Sequence, residues 1–188
     1  MMSRSSTNRD LPKTTRDRVD DHVDQAIREF PEIDPSVEAI LSRIDKLSRY
    51  VNKSMAESLA RHKLTEGEYK VLVKLRLAGD PQRLSPGELS EMLMLSTGAM
   101  TNRLDRLEER DLVVRKPDPR DRRGILVELT SRGQEVLAAA VREQAAKEVS
   151  LVAVLDGEER ERTNELLRKL LIHFEELMGP PPRHREQE

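Results

Sequence analysis

The chain has 188 residues and a net charge of −2, with 36% of its residues charged and 2% aromatic. The length suits one domain with a core or a core carrying helical additions, and the abundance of Leu, Ala, Glu and Arg beside so few aromatics favours the second, a mostly helical chain with long solvated faces. The lack of cysteine excludes disulfides, thiolate catalysis, thiol redox sensing and sulfur-ligated zinc, and no apolar run reaches the roughly 18 residues of a membrane span.

Residues 1–16 are polar and basic, without apolar periodicity, and are expected to form a disordered arm. The opening "MMSRSSTNRD" has no apolar core of a secretory signal, so the expected location is the cytoplasm. A short helix is expected from about Asp17 to Phe30, with Val19, Val23, Ile27 and Phe30 on one stripe and Pro31 as its stop. Asp34 as N-cap and Pro35 in the first turn then open a long helix. Its residues Val37, Ile40, Leu41, Ile44, Leu47, Val51, Met55 and Leu59 recur every three or four positions for about seven turns. So long a stripe in a small protein requires another long helix against it, one that a partner chain can supply.

Thr65 and Glu68 form a capping box that opens "EGEYKVLVKLRLA", which Gly79, Asp80 and Pro81 close. Ser85 and Glu88 form a second box, with Pro86 at the first helical position, before the short helix "PGELSEMLM". After a gap of about one to three residues Ser96 caps a third helix, "TGAMTNRLDRLEER". Met92 and Met94 cannot share a helical face, so one is expected in the core and the other at a contact between helices. After Asp111 the apolar period falls to two. Leu112, Val113 and Val114 lead into Arg115 and Lys116, and Ile125, Val127 and Leu129 alternate, which predicts a hairpin with "PDPRDRRG" as its tip. Thr130 begins a helix to about Leu155, and Asp156 with Glu159 caps a last one that ends near Met178, before Gly179 and three prolines.

Two helices joined by a tight turn, followed by a basic hairpin, make a winged helix-turn-helix, which places its second helix in the major groove of DNA. In that helix Ser96, Thr97 and Thr101 offer hydroxyls, Asn102 can pair with adenine, Arg103 or Arg106 with guanine or phosphate, and Ala99 leaves room for a thymine methyl. Met100, Leu104 and Leu107 take the core side. Gly98 costs helix stability, about 1 kcal/mol relative to Ala, and close approach to DNA is a reason for keeping it. Asp105, Glu108, Glu109 and Asp111 oppose phosphate, so the helix alone says little. Its neighbours carry the reading. The hairpin tip holds Arg120, Arg122 and Arg123, placed to follow the backbone into a narrow minor groove, with Asp121 as a bidentate brace for a guanidinium.

The segment "LSPGELSEMLMLSTGAMTNRLDRLEERDLVVRKPDPRDRRGILVELTSRGQEVL" resembles the DNA-binding core of the multiple antibiotic resistance regulator (MarR) family, and "DPRDRRGILVELTSRG" resembles the wing signature of that family. The resemblance is strong over residues 84–137, and the helical order extends it over 35–178. It implies a mainly α fold with a small β-hairpin wing, a winged helix-turn-helix domain flanked by long dimerisation helices. Residues 17–62 and 131–178 would then be the N- and C-terminal dimerisation helices, 63–130 the DNA-binding domain, and 179–188 a disordered tail. It implies a homodimer on double-stranded DNA, with Arg123 reaching the minor groove and Asp121 bracing it. It also implies release of a pseudo-palindromic operator when a small anionic or phenolic effector binds between the dimer helices and the winged domain. The chain is most similar to the branch with an extra N-terminal helix. It departs from the urate-responsive members there, having no Trp and carrying Lys70 where their pocket aspartate is expected.

No other chemistry competes. His22, His62, His173 and His184 are scattered, and no nucleophile elbow or phosphate loop is present, so no metal, cofactor or enzymatic activity is expected. The alternative of a different class is a helical protein-interaction module without sequence-specific DNA binding, its wing meeting an acidic partner.

Overall fold

The structure, a computed structural model, describes residues 16–79 and 81–179, with only the main chain described at Arg122. The expected arm (1–16) and tail (179–188), apart from Arg16 and Gly179, lie outside the described residues, as does Asp80 of the expected helix stop. Among the described residues seven helices and three strands follow in the order α1 (Arg18–Glu29), α2 (Pro35–Arg61), α3 (Glu66–Leu77), β1 (Arg83–Leu84), α4 (Pro86–Met92), α5 (Thr97–Glu109), β2 (Val113–Asp118), β3 (Asp121–Leu129), α6 (Ser131–Leu151) and α7 (Gly157–Met178). Side-chain caps set the helix starts. Asp17, Asp34, Thr65, Ser85, Ser96, Thr130 and Asp156 each accept N–H groups of the first turn that have no partner within the helix.

The core lies where α3, α4, α5 and the sheet meet the C-terminal end of α2 and the first half of α6. Leu59, Leu72, Leu75, Leu89, Met100 and Leu104 are fully buried there. Only the last turns of α2 enter it. Of the rest of the expected stripe, Val37, Ile40, Leu41, Leu47 and Val51 stay exposed and Ile44 is half-buried. Helix α1 packs on α2 through Val19 and Val23, and Arg43 holds it by donating to Asp17 at 3.0 Å and Asp20 at 2.6 Å. Phe30, expected on the same stripe, is 55% exposed. Helix α7 buries no residue, and its Leu166, Leu167, Leu171, Ile172 and Leu177 are exposed. Helix α6 ends at Leu151, four residues before the expected Leu155, and the turn between exposes Val152 and Val154.

The sheet is antiparallel in the order β1-β3-β2. Strand β1 has no counterpart in the sequence reading, because two residues carry no period; they pair as Arg83 with Glu128 and Leu84 with Val127. The hairpin is longer than expected and its turn shorter. The strands run on to Asp118 and Asp121, which are paired, so only Pro119 and Arg120 turn the chain. Pro117 pairs with Ile125, which leaves Arg122, Arg123 and Gly124 as extra residues on β3, a bulge. A Cβ at Gly124 would stand 2.9 Å from the Cβ of Asp118, so the bulge closes only around a glycine. Ile125 beside it is 47% exposed, whereas Val127 and Leu129, which follow it on the same alternation, are buried.

Glu68, the third residue of α3, joins that helix to α5. Its carboxylate accepts the Thr65 N–H at 3.0 Å to complete the capping box, and it also meets Arg106 at 3.6 Å and Arg110 at 3.2 Å. The residue is 3% exposed. A buried carboxylate is tolerated because cations and N–H groups surround it, and removing its charge leaves those groups without their acceptor. Glu68→Gln is expected to cost about 2 kcal/mol, the range of hydrogen bonds to charged groups, in urea unfolding. Glu66→Gln, which removes only the exposed pair with Lys70, should leave the midpoint nearly unchanged.

The junction from wing to α6 is equally tight. Asp111 adopts φ +55° after α5, Leu112 accepts the Thr130 N–H at 3.2 Å, and the Thr130 hydroxyl donates to the Asp111 carbonyl at 2.6 Å. A Cβ at Gly133 would lie 1.9 Å from the Leu112 carbonyl oxygen, and backbone cannot move aside cheaply. Gly133→Ala is therefore expected to destabilise the fold by about 3 kcal/mol by overpacking, read as a lower urea midpoint.

Candidate nucleic-acid interface

Helix α5 is fixed from within by Met100, Leu104 and Leu107, all fully buried. Its opposite face is open. Ser96, Thr97, Thr101 and Asn102 are exposed at the first two turns, and Ala99 is half-buried. Ser96 accepts the Ala99 N–H at 3.2 Å, and the Thr101 hydroxyl donates to the Thr97 carbonyl at 2.9 Å. Gly98 has open space where a Cβ would stand, so nothing in the chain itself requires glycine. Four residues, 93–96, link α4 to α5, against the expected one to three. Met94 there adopts φ +54°, and this reversal leaves both Met92 and Met94 exposed, where one was expected in the core.

Arg103 requires a correction. Expected to contact a base or a phosphate, it is 4% exposed and lies against the first turn of α3, where a Cβ at Gly67 would be 2.4 Å from its guanidinium carbon. Burial lowers its pKa from the usual arginine value, the nearby Arg106 lowers it further, and Glu68 opposes both. The signal was in the spacing, because Met100, Arg103, Leu104 and Leu107 stand at i, i+3, i+4 and i+7, the stripe that faces inward. Arg106 remains on the surface, its guanidinium 3.6 Å from Glu68.

The residue that sequence reasoning missed is Arg115 of β2. Its guanidinium donates to Asp105 at 2.7 Å and to Glu108, and its main-chain N–H reaches Glu108 at 3.0 Å. The acidic residues expected to oppose phosphate are thus partly neutralised from the wing. Glu128 makes a similar link within the sheet, taking Arg83 from β1 at 2.6 Å and Lys116 from β2. The Lys116 hydrogen bond outweighs the cost of burial and, with Arg83 adding to it, holds its carboxyl below the usual range.

At the wing, Arg120 occupies the turn with its side chain 84% exposed, and its main-chain N–H donates to Asp118 at 2.9 Å. Asp121 accepts the main-chain N–H of Arg123 at 2.9 Å, so it orients Arg123 through the peptide, where a contact with a guanidinium was expected. Arg123 is exposed on the bulge. Arg122 has its main chain in the same bulge, and its side chain lies outside the described residues.

Behind this surface, α3 and α6 enclose a cleft of about 720 Å³. Tyr69, Val73, Leu77, Leu137 and Val141 form its apolar walls, with Arg76, Gln134 and Glu135 at its edge. Burial raises the pKa of the Tyr69 phenol, with Glu148 adding to the effect, so it stays a neutral donor. Lys70, singled out in the sequence, turns to Glu66 at 2.6 Å. No helix among the described residues is long and apolar enough to cross a membrane.

Residues 64–125 match the model of the MarR family. The chain is 28% identical to the HTH-type transcriptional regulator PecS of Dickeya dadantii over 83% of its own length and 94% of that protein. It is 36% identical to the multiple antibiotic resistance protein MarR of Escherichia coli over 57% of its own length and 69% of that protein. A crystal structure of an E. coli MarR mutant complexed with operator DNA superposes with a TM-score of 0.59 at 27% identity, covering 78% of this chain and 97% of that one. These relatives are transcription regulators, which leaves no support for an enzyme and favours the regulator over the interaction module. The winged helix-turn-helix, the wing signature and these likenesses agree: the chain belongs to the MarR family of transcription regulators.

Proposed function

We propose that the protein is a homodimeric, sequence-specific DNA-binding repressor that leaves its operator when a small molecule occupies the cleft between α3 and α6. The observation that carries the DNA reading is the exposed polar face at the start of α5 beside an arginine-bearing wing. The complex of a family member with operator DNA supports the same assignment. Ser96, Thr97, Ala99, Thr101 and Asn102 meet base edges and Arg106 a phosphate, while Arg120, Arg122 and Arg123 follow the backbone toward the minor groove with Asp121 setting the bulge. Arg103 takes no part in that contact.

The homodimer rests on the apolar side chains of α2 and α7, which form long exposed rows on helices that a single chain leaves uncovered. Rows of this length in water favour association with a second copy. Two recognition helices related by a two-fold axis then read half-sites about 10 bp apart, in a pseudo-palindromic operator. The cleft suits an effector with an apolar body and one acidic group, which Arg76 at its rim can meet while Tyr69 donates a hydrogen bond.

The test is a fluorescence-anisotropy titration against duplex DNA from upstream of the protein's own gene and a scrambled control, at two salt concentrations. Selective binding that weakens as salt rises, with a log-log slope of about −0.9 per neutralised phosphate, is the expected result. Absence of any selective complex, there and in a pool of genomic fragments, counts against the reading. Arg123→Ala should weaken binding and reduce the salt slope by about one unit without altering the dimer. Undiminished affinity would remove the wing from the mechanism. Asn102→Ala should reduce discrimination between operator and scrambled DNA by about 1 to 3 kcal/mol, whereas equal losses on both would place Asn102 on the backbone.

A further inference from the structure

The arginines of α5 do not protect its DNA-facing surface from its own acids. Arg103 is buried against α3, Arg110 at the C-cap meets Glu68, and Arg106, though exposed, lies 3.6 Å from the same carboxylate, so these arginines gather on the side of the helix toward α3. Its carboxylates do not. Thr97, Thr101, Asp105 and Glu108 follow one another at spacings of four, four and three, a single stripe that begins at the exposed polar turns. A duplex lying on that stripe would meet Asp105 one turn beyond Thr101. Arg115 stands over this end of the stripe from β2, bonded to both carboxylates and to Glu108 a second time through its main chain. Its side chain is 23% exposed, so solvent and salt screen these pairs less than they would on an open surface.

We propose that Arg115 is a positioning residue of the DNA interface, which masks Asp105 and Glu108 from the duplex phosphates and keeps the wing strand seated on the recognition helix. This inference rests on the DNA-binding reading above. One guanidinium with two fixed acceptors leaves the cluster a single residual negative charge in place of two, and a planar group with a separate N–H donor for each carboxylate suits Arg better than Lys for this task.

The experiment uses the full chain and a duplex that the wild-type protein selects from a random-sequence pool, with a scrambled duplex beside it. Circular dichroism and sedimentation check fold and oligomeric state. Arg115→Met is expected to lower affinity for both duplexes by about tenfold or more, since uncovered carboxylates repel any phosphate backbone. Adding Asp105→Asn and Glu108→Gln to it is expected to restore affinity to within about threefold, because removing the repelling charges replaces the mask. Wild-type affinity in Arg115→Met, or a triple variant no better than the single one, overturns the masking role, the second result assigning Arg115 to wing placement alone. Should Arg115→Met not fold, Asp105→Asn with Glu108→Gln in the native background decides. It frees the Arg115 charge and should steepen the salt slope by about one unit, and an unchanged slope overturns the proposal. A wild-type protein that selects no duplex would remove the DNA-binding reading itself. Selection with unaltered variants removes only the role of Arg115.

Discussion

The buried carboxylate of Glu68 joins the parts of this protein that must not move independently. It closes the first turn of α3 through the Thr65 N–H and takes Arg106 from α5 and Arg110 from its C-cap, so a capping interaction and a helix-helix contact share one side chain. A capping carboxylate on the surface contributes only modestly to a helix. Here it is enclosed, and each cation that meets it also offsets the cost of burying it. The neighbouring contact has the same character, because the Arg103 guanidinium lies on Gly67, where an added Cβ would have to push it aside. Helix α5 is therefore set in angle and depth by groups at the start of α3, and its outer polar face follows from how its inner face is held.

Charge is partitioned across α5 in consequence. The basic side chains that residue type alone would send to DNA serve in part to hold the helix, and two of the acidic ones that oppose DNA binding, Asp105 and Glu108, are engaged by the wing through Arg115. Glu128 repeats the pattern in the sheet, where one carboxylate ties both outer strands to the central one. The helix and hairpin are thus joined by ion pairs as well as by the Val113 and Val127 core. A near-neutral chain can then present a basic wing without a basic surface throughout.

What the sequence made legible follows from range. N-caps and capping boxes act within four residues, so Asp34, Thr65, Ser85, Ser96, Thr130 and Asp156 placed the helix starts directly. The change of period after Asp111 placed the hairpin for the same reason. Strand β1 was invisible because its pairing with Glu128 spans 45 residues and its two residues have no pattern of their own. The bulge was invisible because "PDPRDRRG" has the composition of a loop, and only the approach of Gly124 to Asp118 turns most of it into strand. Arg103 is the instructive case. Its position on the Met100, Leu104, Leu107 stripe indicated burial, while its residue type indicated DNA, and the stripe prevailed because Gly67 leaves it space and Glu68 supplies a counter-charge.

The cleft belongs to this same chain of contacts. Tyr69 and Val73 on its wall sit one and five residues beyond Glu68 on α3, so a molecule that wedged α3 away from α6 would shift the helix that grips α5. Ligand and DNA can oppose each other only through a difference in affinity between two arrangements, and couplings of this kind are typically about 1 to 3 kcal/mol. In the proposed dimer that range goes further than in a monomer. Both recognition helices must match half-sites one turn apart, so a small rotation of either lobe weakens the register of both. A short, stiff path from cleft to recognition helix, through α3 and a buried carboxylate, transmits such a rotation better than a flexible loop would, since packed interiors yield little to small displacements.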